Sequence, residues 1–202
     1  SGNQVTGQHV RDAACYVCWA FARAFAPSVL VPYVSEMSAA LIQVAVYDRE
    51  INCRRAAAAA VQEHVGRQGT FPNGIDVVTS ADFWTLSNRR HSYLVVAPQL
   101  AYFATYCRVL IDHLVDRKIA HLDLEVRRLA SQGLAKLLED PGVEIVAHVN
   151  EVVLPKLLAR AAEIDTTSVA SRHGALIALT AVIDPLQSHI AAEVQDKIRS
   201  LE

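Results

Sequence analysis

Two cysteines three residues apart, Cys15 and Cys18, are the first residues whose type and spacing could do chemistry. A Cys-x-x-Cys pair holds zinc when a second pair or two histidines complete a tetrahedral set. It exchanges disulfides when it opens a helix that follows a strand. Here no second pair stands in the chain, no histidine stands at ligand spacing, and no strand pattern precedes the helix. The pair reads as two small apolar side chains facing a core, and with Cys53 and Cys107 it fits reduced, buried cytosolic thiols. The eight histidines do not cluster. Asp112-His113 and His121 lie at neighbouring helix ends, but a metal or a proton-transfer step needs a third group, and the sequence offers none there. Gly66-Arg67-Gln68-Gly69-Thr70 has the glycines of a phosphate cradle without its Lys-Ser/Thr. No G-x-S-x-G, P-loop or H-E-x-x-H string occurs. The expectation is a protein without catalytic residues, metal or cofactors.

Composition narrows the class further. A hydrophobic content of 52% over 202 residues is ample for a core, and a formal net charge of −2 argues against a nucleic-acid footprint. No apolar run is expected to reach the roughly 18 residues of a membrane span, and no signal peptide heads the chain. A cytoplasmic protein follows.

Helix signals dominate the elements. Apolar spacing predicts helices over residues 9–25, 33–47, 50–65, 88–104, 107–119, 124–138, 146–163 and 168–184, with a short helix near 80–86 and a last one over about 186–200. Asp48 and Asp123 are expected to cap the helices that follow them, and Gly66 to close the third in a left-handed conformation. Pro32 and Pro155 stand in helices preceding arginine-headed ones and are expected to kink them. Val10-Arg11-Asp12-Ala13-Ala14, Cys53-Arg54-Arg55-Ala56-Ala57, Val126-Arg127-Arg128-Leu129-Ala130 and Ser171-Arg172-His173-Gly174-Ala175 each put an arginine at the head of an alanine-rich helix. Asn88-Arg89-Arg90-His91 is a weaker copy. From Arg11 through Arg54, Arg90 and Arg127 to Arg172 the steps are 43, 36, 37 and 45 residues, near the roughly 40–47-residue period of HEAT and armadillo repeats. The fold class expected is all-α: an α-solenoid of HEAT-like helix pairs, about four full repeats and one half repeat.

Residues 1–202 therefore read as a single repeat segment, a fragment of a longer solenoid. Its first unit contributes only its second helix. The arginines are expected to be structural, each reaching an acid of a neighbouring repeat, with Asp48, Asp123 and Asp165 as partners. Residues 67–79 read as an insertion loop whose apolar side chains either cover the neighbouring helices or meet a partner. Arg67, Phe71, Ile75 and Asp76 are the contact candidates, and Trp84 just beyond is a further one.

Two strings are long and irregular enough to point further. Val10 to Arg23 reads VRDAACYVCWAFAR, and Asn52-Cys53-Arg54-Arg55-Ala56-Ala57 is followed by Val65-Gly66-Arg67-Gln68-Gly69-Thr70-Phe71-Pro72. With Gly74-Ile75-Asp76, Ile111-Asp112-His113-Leu114-Val115 and Arg172-His173-Gly174, they resemble the central repeats of the tubulin-folding cofactor D family. His64 stands where that family's pattern suggests asparagine, and the likeness weakens over 84–106 and 139–163. The resemblance implies a cytosolic HEAT-repeat chaperone scaffold that binds β-tubulin, works with tubulin cofactors E and C on the α/β-tubulin heterodimer, and associates with an Arf-like small GTPase. It also implies that the assembly stimulates GTP hydrolysis by tubulin, with no catalytic residue of the family's own. The alternative is a general HEAT-repeat adaptor of the transport-receptor or phosphatase-scaffold type.

Overall fold

Residues 7–82, 85–163 and 169–186, with Val194 and Ile198, are described by this computed structural model. They are helical with no strand among the described residues, an α-solenoid class fold of HEAT-like helix pairs. Residues 1–105 and 106–202 form two compact units.

In the first unit, α1 (Gln8–Ala24) ends at an extended Phe25, and Pro27 starts the next helical stretch. A turn of helix, Pro27–Leu30, and a 3-10 turn, Val31–Tyr33, lead into α2 (Val34–Tyr47). Pro32 thus sits in the 3-10 turn at the entry to α2 and does not kink its interior. α3 (Ile51–Gln68) runs straight through Gly66, and Gly69, at φ 63°, closes it by donating to His64 O. The left-handed closing residue is therefore Gly69, not Gly66. Residues 74–80, expected inside a loop, form α4 (Gly74–Ser80), so the non-helical link is only 69–73. A 3-10 turn, Thr85–Ser87, follows α4 where a short helix was expected, and α5 spans residues 89–101. α1 and α2 pack on α3. α5 meets α2 through Tyr47 and Tyr93, whose ring centroids are 4.7 Å apart.

α6 covers residues 104–118 and lies in the second unit from residue 106 on, where α7 is Leu124–Leu137, α8 covers 143–162 and α9 is Val169–Leu186. α7 and α8 both pack on α9. Pro155 in α8 follows a π-turn at Val149–Val153, and Pro98 in α5 follows another at Ser92–Val96. A wider turn ahead of each proline accommodates the missing N–H, which is how the helix bends without breaking. The helix expected over about 186–200 lies largely outside the described residues.

One expectation about membranes is corrected. The continuous stretch Pro27–Tyr47 is long and apolar enough to cross a bilayer by length and composition. Its last turns, with Ile42, Val46 and Tyr47 fully buried against neighbouring helices, show the same composition serving a protein core.

Candidate interaction surface and the arginine seats

Arg11, Arg54, Arg127 and Arg172 are each the fourth residue of their helix. A side chain at that position leans back over the first turn. That brings it to the C-terminal end of the preceding helix, whose last carbonyls have no partner within their own helix. Arg54 is 3% exposed. Its Nη1 donates to Asp48 O (2.9 Å) and Arg49 O (3.0 Å), its Nε to Leu86 O (2.8 Å) and its Nη2 to Ser87 O (3.0 Å). Arg127 repeats the pattern at the same offsets of six and five residues: Nη1 donates to His121 O (2.7 Å) and Leu122 O (2.8 Å). Its Nε donates to Nδ1 of His173 (3.3 Å). Arg172 donates to Ala161 O (3.2 Å).

Arg54 thus sits in a seat of backbone carbonyls where the sequence suggested an acid, and Arg127 and Arg172 take backbone carbonyls as well. The negative end of a helix suits a guanidinium as well as a carboxylate does, and the carbonyls are already there. Arg11 meets an acid: Nε and Nη2 donate to the two carboxylate oxygens of Asp48 (2.6 and 3.2 Å). Asp48, 4% exposed, also accepts from the Glu50 N–H (2.9 Å) at the start of α3. The Asp48 bond raises the Arg11 pKa, whereas burial first, and then Arg89, lower that of Arg54. Asp123 caps α7, accepting from Glu125 N–H at 3.0 Å. Arg90 stands apart from the four: it is exposed and is the second residue of α5, a helix that packs on α2. Asp165 and Trp84 lie outside the described residues.

Other helix carbonyls accept side-chain bonds from the next repeat as well. Val46 O accepts from Ser92 Oγ (2.7 Å) and Tyr47 O from Tyr93 Oη (3.0 Å), both 46 residues on. Cys18 O accepts from His64 Nε2 (2.8 Å) and Ala22 O from Gln68 Nε2 (2.7 Å), again 46 residues on. These pairings set the stacking register of the first unit, and the sequence did not mark them because a backbone acceptor has no side-chain signature.

Burial follows the repeat. Cys53, Arg54, Ala57, Ala58, Ala60, Val61 and His64 are buried in α3, and the positions 73 residues later, Val126, Arg127, Ala130, Ser131, Gly133, Leu134 and Leu137, are buried in α7. Of the matching positions in α1, Cys15 is buried, but Val10 is 71%, Val17 48% and Phe21 38% exposed. A groove of about 470 Å³ adjoins α1, lined by Phe21, Phe25, Val29, Tyr33 and Met37.

The five contact candidates separate. Phe71 is buried and stacks on the His64 ring, centroids 4.6 Å apart and planes 9° from parallel, so it covers α3 and is unavailable to a partner. Arg67, Ile75 and Asp76 are exposed. Arg67 pairs with Glu63, which also accepts from Arg23 of α1 (3.2 Å), and the Arg23 guanidinium lies 4.7 Å above the Trp19 ring. Burial pushes the Cys15 thiol up to about 12 and raises Cys18, so neither is poised as a nucleophile or metal-binding thiolate. Burial likewise lowers the His64 pKa.

Comparison with known proteins places this arrangement. Residues 1–75 match the model of a family described as tubulin-specific chaperone D-like armadillo repeats. Over 184 residues, 90% of the chain, it is 40% identical to tubulin-specific chaperone D of Dictyostelium discoideum. Over 136 residues, 67% of the chain, it is 29% identical to tubulin-folding cofactor D of Schizosaccharomyces pombe. The chain spans 12% of the length of each relative. As a helical-repeat segment, the chain belongs to the tubulin-specific chaperone D family.

Proposed function

We propose that this chain is a scaffold segment of a cytoplasmic tubulin-folding chaperone, one that binds or helps hold β-tubulin while the α/β-tubulin heterodimer is assembled or taken apart. The identity of 40% over 90% of the chain carries the reading. In the same reading the parent protein works with tubulin cofactors E and C and an Arf-like small GTPase, and supports the complex that stimulates GTP hydrolysis by tubulin. The segment contributes shape and contact, not catalysis. The physical support is the set of carbonyl seats, which hold stacked helices in one register and leave the outer sides of the second helices free as surface. Large globular subunits are bound across such surfaces through a few anchors.

The test is capture of purified tubulin by the folded segment, with and without GTP, after circular dichroism has established its helical content. The expected result is retention of β-tubulin. A folded segment that retains no tubulin under either condition refutes a binding role for these repeats.

A further inference from the structure

Gly66 stands inside α3 for no reason internal to the molecule. Its backbone is ordinary right-handed helix, unlike Gly7 and Gly69, whose φ is positive. A Cβ built there meets nothing within 4 Å. A glycine in a helix weakens it, so neither conformation nor packing accounts for this one. Gly133 of α7, by contrast, is buried. Close approach of something from outside is the remaining physical use of an absent side chain.

The neighbours of Gly66 say what could approach. Glu63, one turn earlier, is shared by Arg67 and by Arg23 of α1, so two guanidiniums meet one carboxylate. This corner is net positive in a chain whose formal charge is −2. Arg23 and Arg67 are 46% and 51% exposed and keep N–H donors for a second carboxylate. The Arg23 guanidinium lies over the Trp19 ring, and Tyr16, 62% exposed, stands one turn earlier in α1. Among the described residues on and just after α7 the exposed pairs are matched one to one, Arg128 with Glu125 and Lys136 with Glu139.

We infer that the outer face of α1 and α3 around Gly66 is a docking surface for an acidic segment of a protein partner, whose backbone comes close to Gly66 while its carboxylates engage Arg23 and Arg67. The inference rests on the tubulin-binding reading above and adds to it the place and the chemistry of the contact.

The experiment measures the affinity of the segment for purified α/β-tubulin for the wild type, Gly66→Ala, Gly66→Gln, Arg67→Glu and the control Lys136→Glu, with the melting temperature of each. Gly66→Ala is expected to raise the melting temperature and yet weaken binding. Gly66→Gln and Arg67→Glu are each expected to weaken it about tenfold or more, while Lys136→Glu leaves it unchanged. A short polyglutamate peptide is expected to compete, and affinity to fall as salt rises from about 50 to 300 mM. Wild-type binding with both Gly66 variants and Arg67→Glu unaffected overturns the inference and spares the functional reading. Binding that polyglutamate and salt do not disturb overturns the acidic partner. No binding by the folded wild type overturns the functional reading and this inference with it.

Discussion

Replacing Gly174 by alanine should destabilise the second unit although alanine is the better helix former. A Cβ on Gly174 would lie 1.8 Å from Ile119 O and 3.0 Å from Cδ of Arg127. The first obstacle is backbone at the end of α6 and cannot rotate away, so α9 would have to move by about 1.5 Å to restore ordinary contact. That shift pulls Nδ1 of His173 away from Arg127 Nε, now at 3.3 Å, and disturbs a guanidinium that is 9% exposed. Overpacking typically costs about 1–3 kcal/mol, and loosening a buried charged seat adds to it. Against this stands at most about 1 kcal/mol of helix propensity gained by alanine. The net expectation is a loss of about 3 kcal/mol, or about 6–12 °C in melting temperature for a chain of this size. Circular dichroism on heating measures it, and hydrogen exchange should place the new opening in α9 and the start of α7. Gly66→Ala is the internal control: with empty space around its Cβ it should stabilise by about 0.5–1 kcal/mol. If the two variants shift the melting temperature in the same direction, the close approach of α9 to Ile119 is not a determinant of packing.

Arg54→Met keeps the apolar stem but strands four carbonyls, and should lose about 3 kcal/mol or more in denaturant unfolding. A loss under about 1 kcal/mol would mean that the stem and not the guanidinium holds α3 in place. Asp48→Asn retains the acceptor for Glu50 N–H and removes the charge facing Arg11. A loss of about 1 kcal/mol is expected, discounted because Arg11 is a third exposed, and it should shrink in 1 M salt. His64 is held neutral by burial, with its folded pKa below the unfolded value of about 6.5, so the unfolded chain takes up the proton first as pH falls. Its contribution is complete above that value and declines as pH drops below it toward the folded pKa. His64→Asn should therefore flatten the fall in melting temperature between about pH 7 and 5, and an unchanged slope assigns that fall to other groups.

The helices were legible because apolar spacing and alanine-rich runs are side-chain patterns, and the arginine strings marked the fourth position of four second-type helices. What the arginines bind was not legible. Every residue carries a carbonyl, so nothing distinguishes Asp48, Arg49, Leu86 or Ser87 as acceptors until the chain is folded. Arg90 misled because its string copies the composition but not the position, being the second residue of α5. Gly66 and Gly69 were three residues apart and equally able to end α3, and only the positive φ of Gly69 separates them. Phe71 read as a contact because it sits in a glycine- and proline-bearing link, while its partner, the His64 ring, is invisible to local patterning. Had His64 been asparagine, that stacked face would be missing.

These seats also explain how a stack of short helices can keep one register without long-range order in the sequence. A hydrophobic face fixes which sides meet but tolerates sliding, since apolar contact has little direction. A guanidinium with four carbonyls around it does not slide, because each N–H needs its acceptor within hydrogen-bond range and angle. Arg54 draws two of those carbonyls from the turn before α3 and two from the turn before α5, so it is satisfied only when both are in place. Arg127 does the same with the turn before α7 and with His173 of α9. In these two cases the arginine is completed by the element that follows within its own unit, and an isolated helix pair would leave it partly unsatisfied. A scaffold built this way places its outer residues, Trp19, Arg23 and Arg67 among them, before any partner arrives, so that binding need not spend free energy on ordering the surface that does the binding.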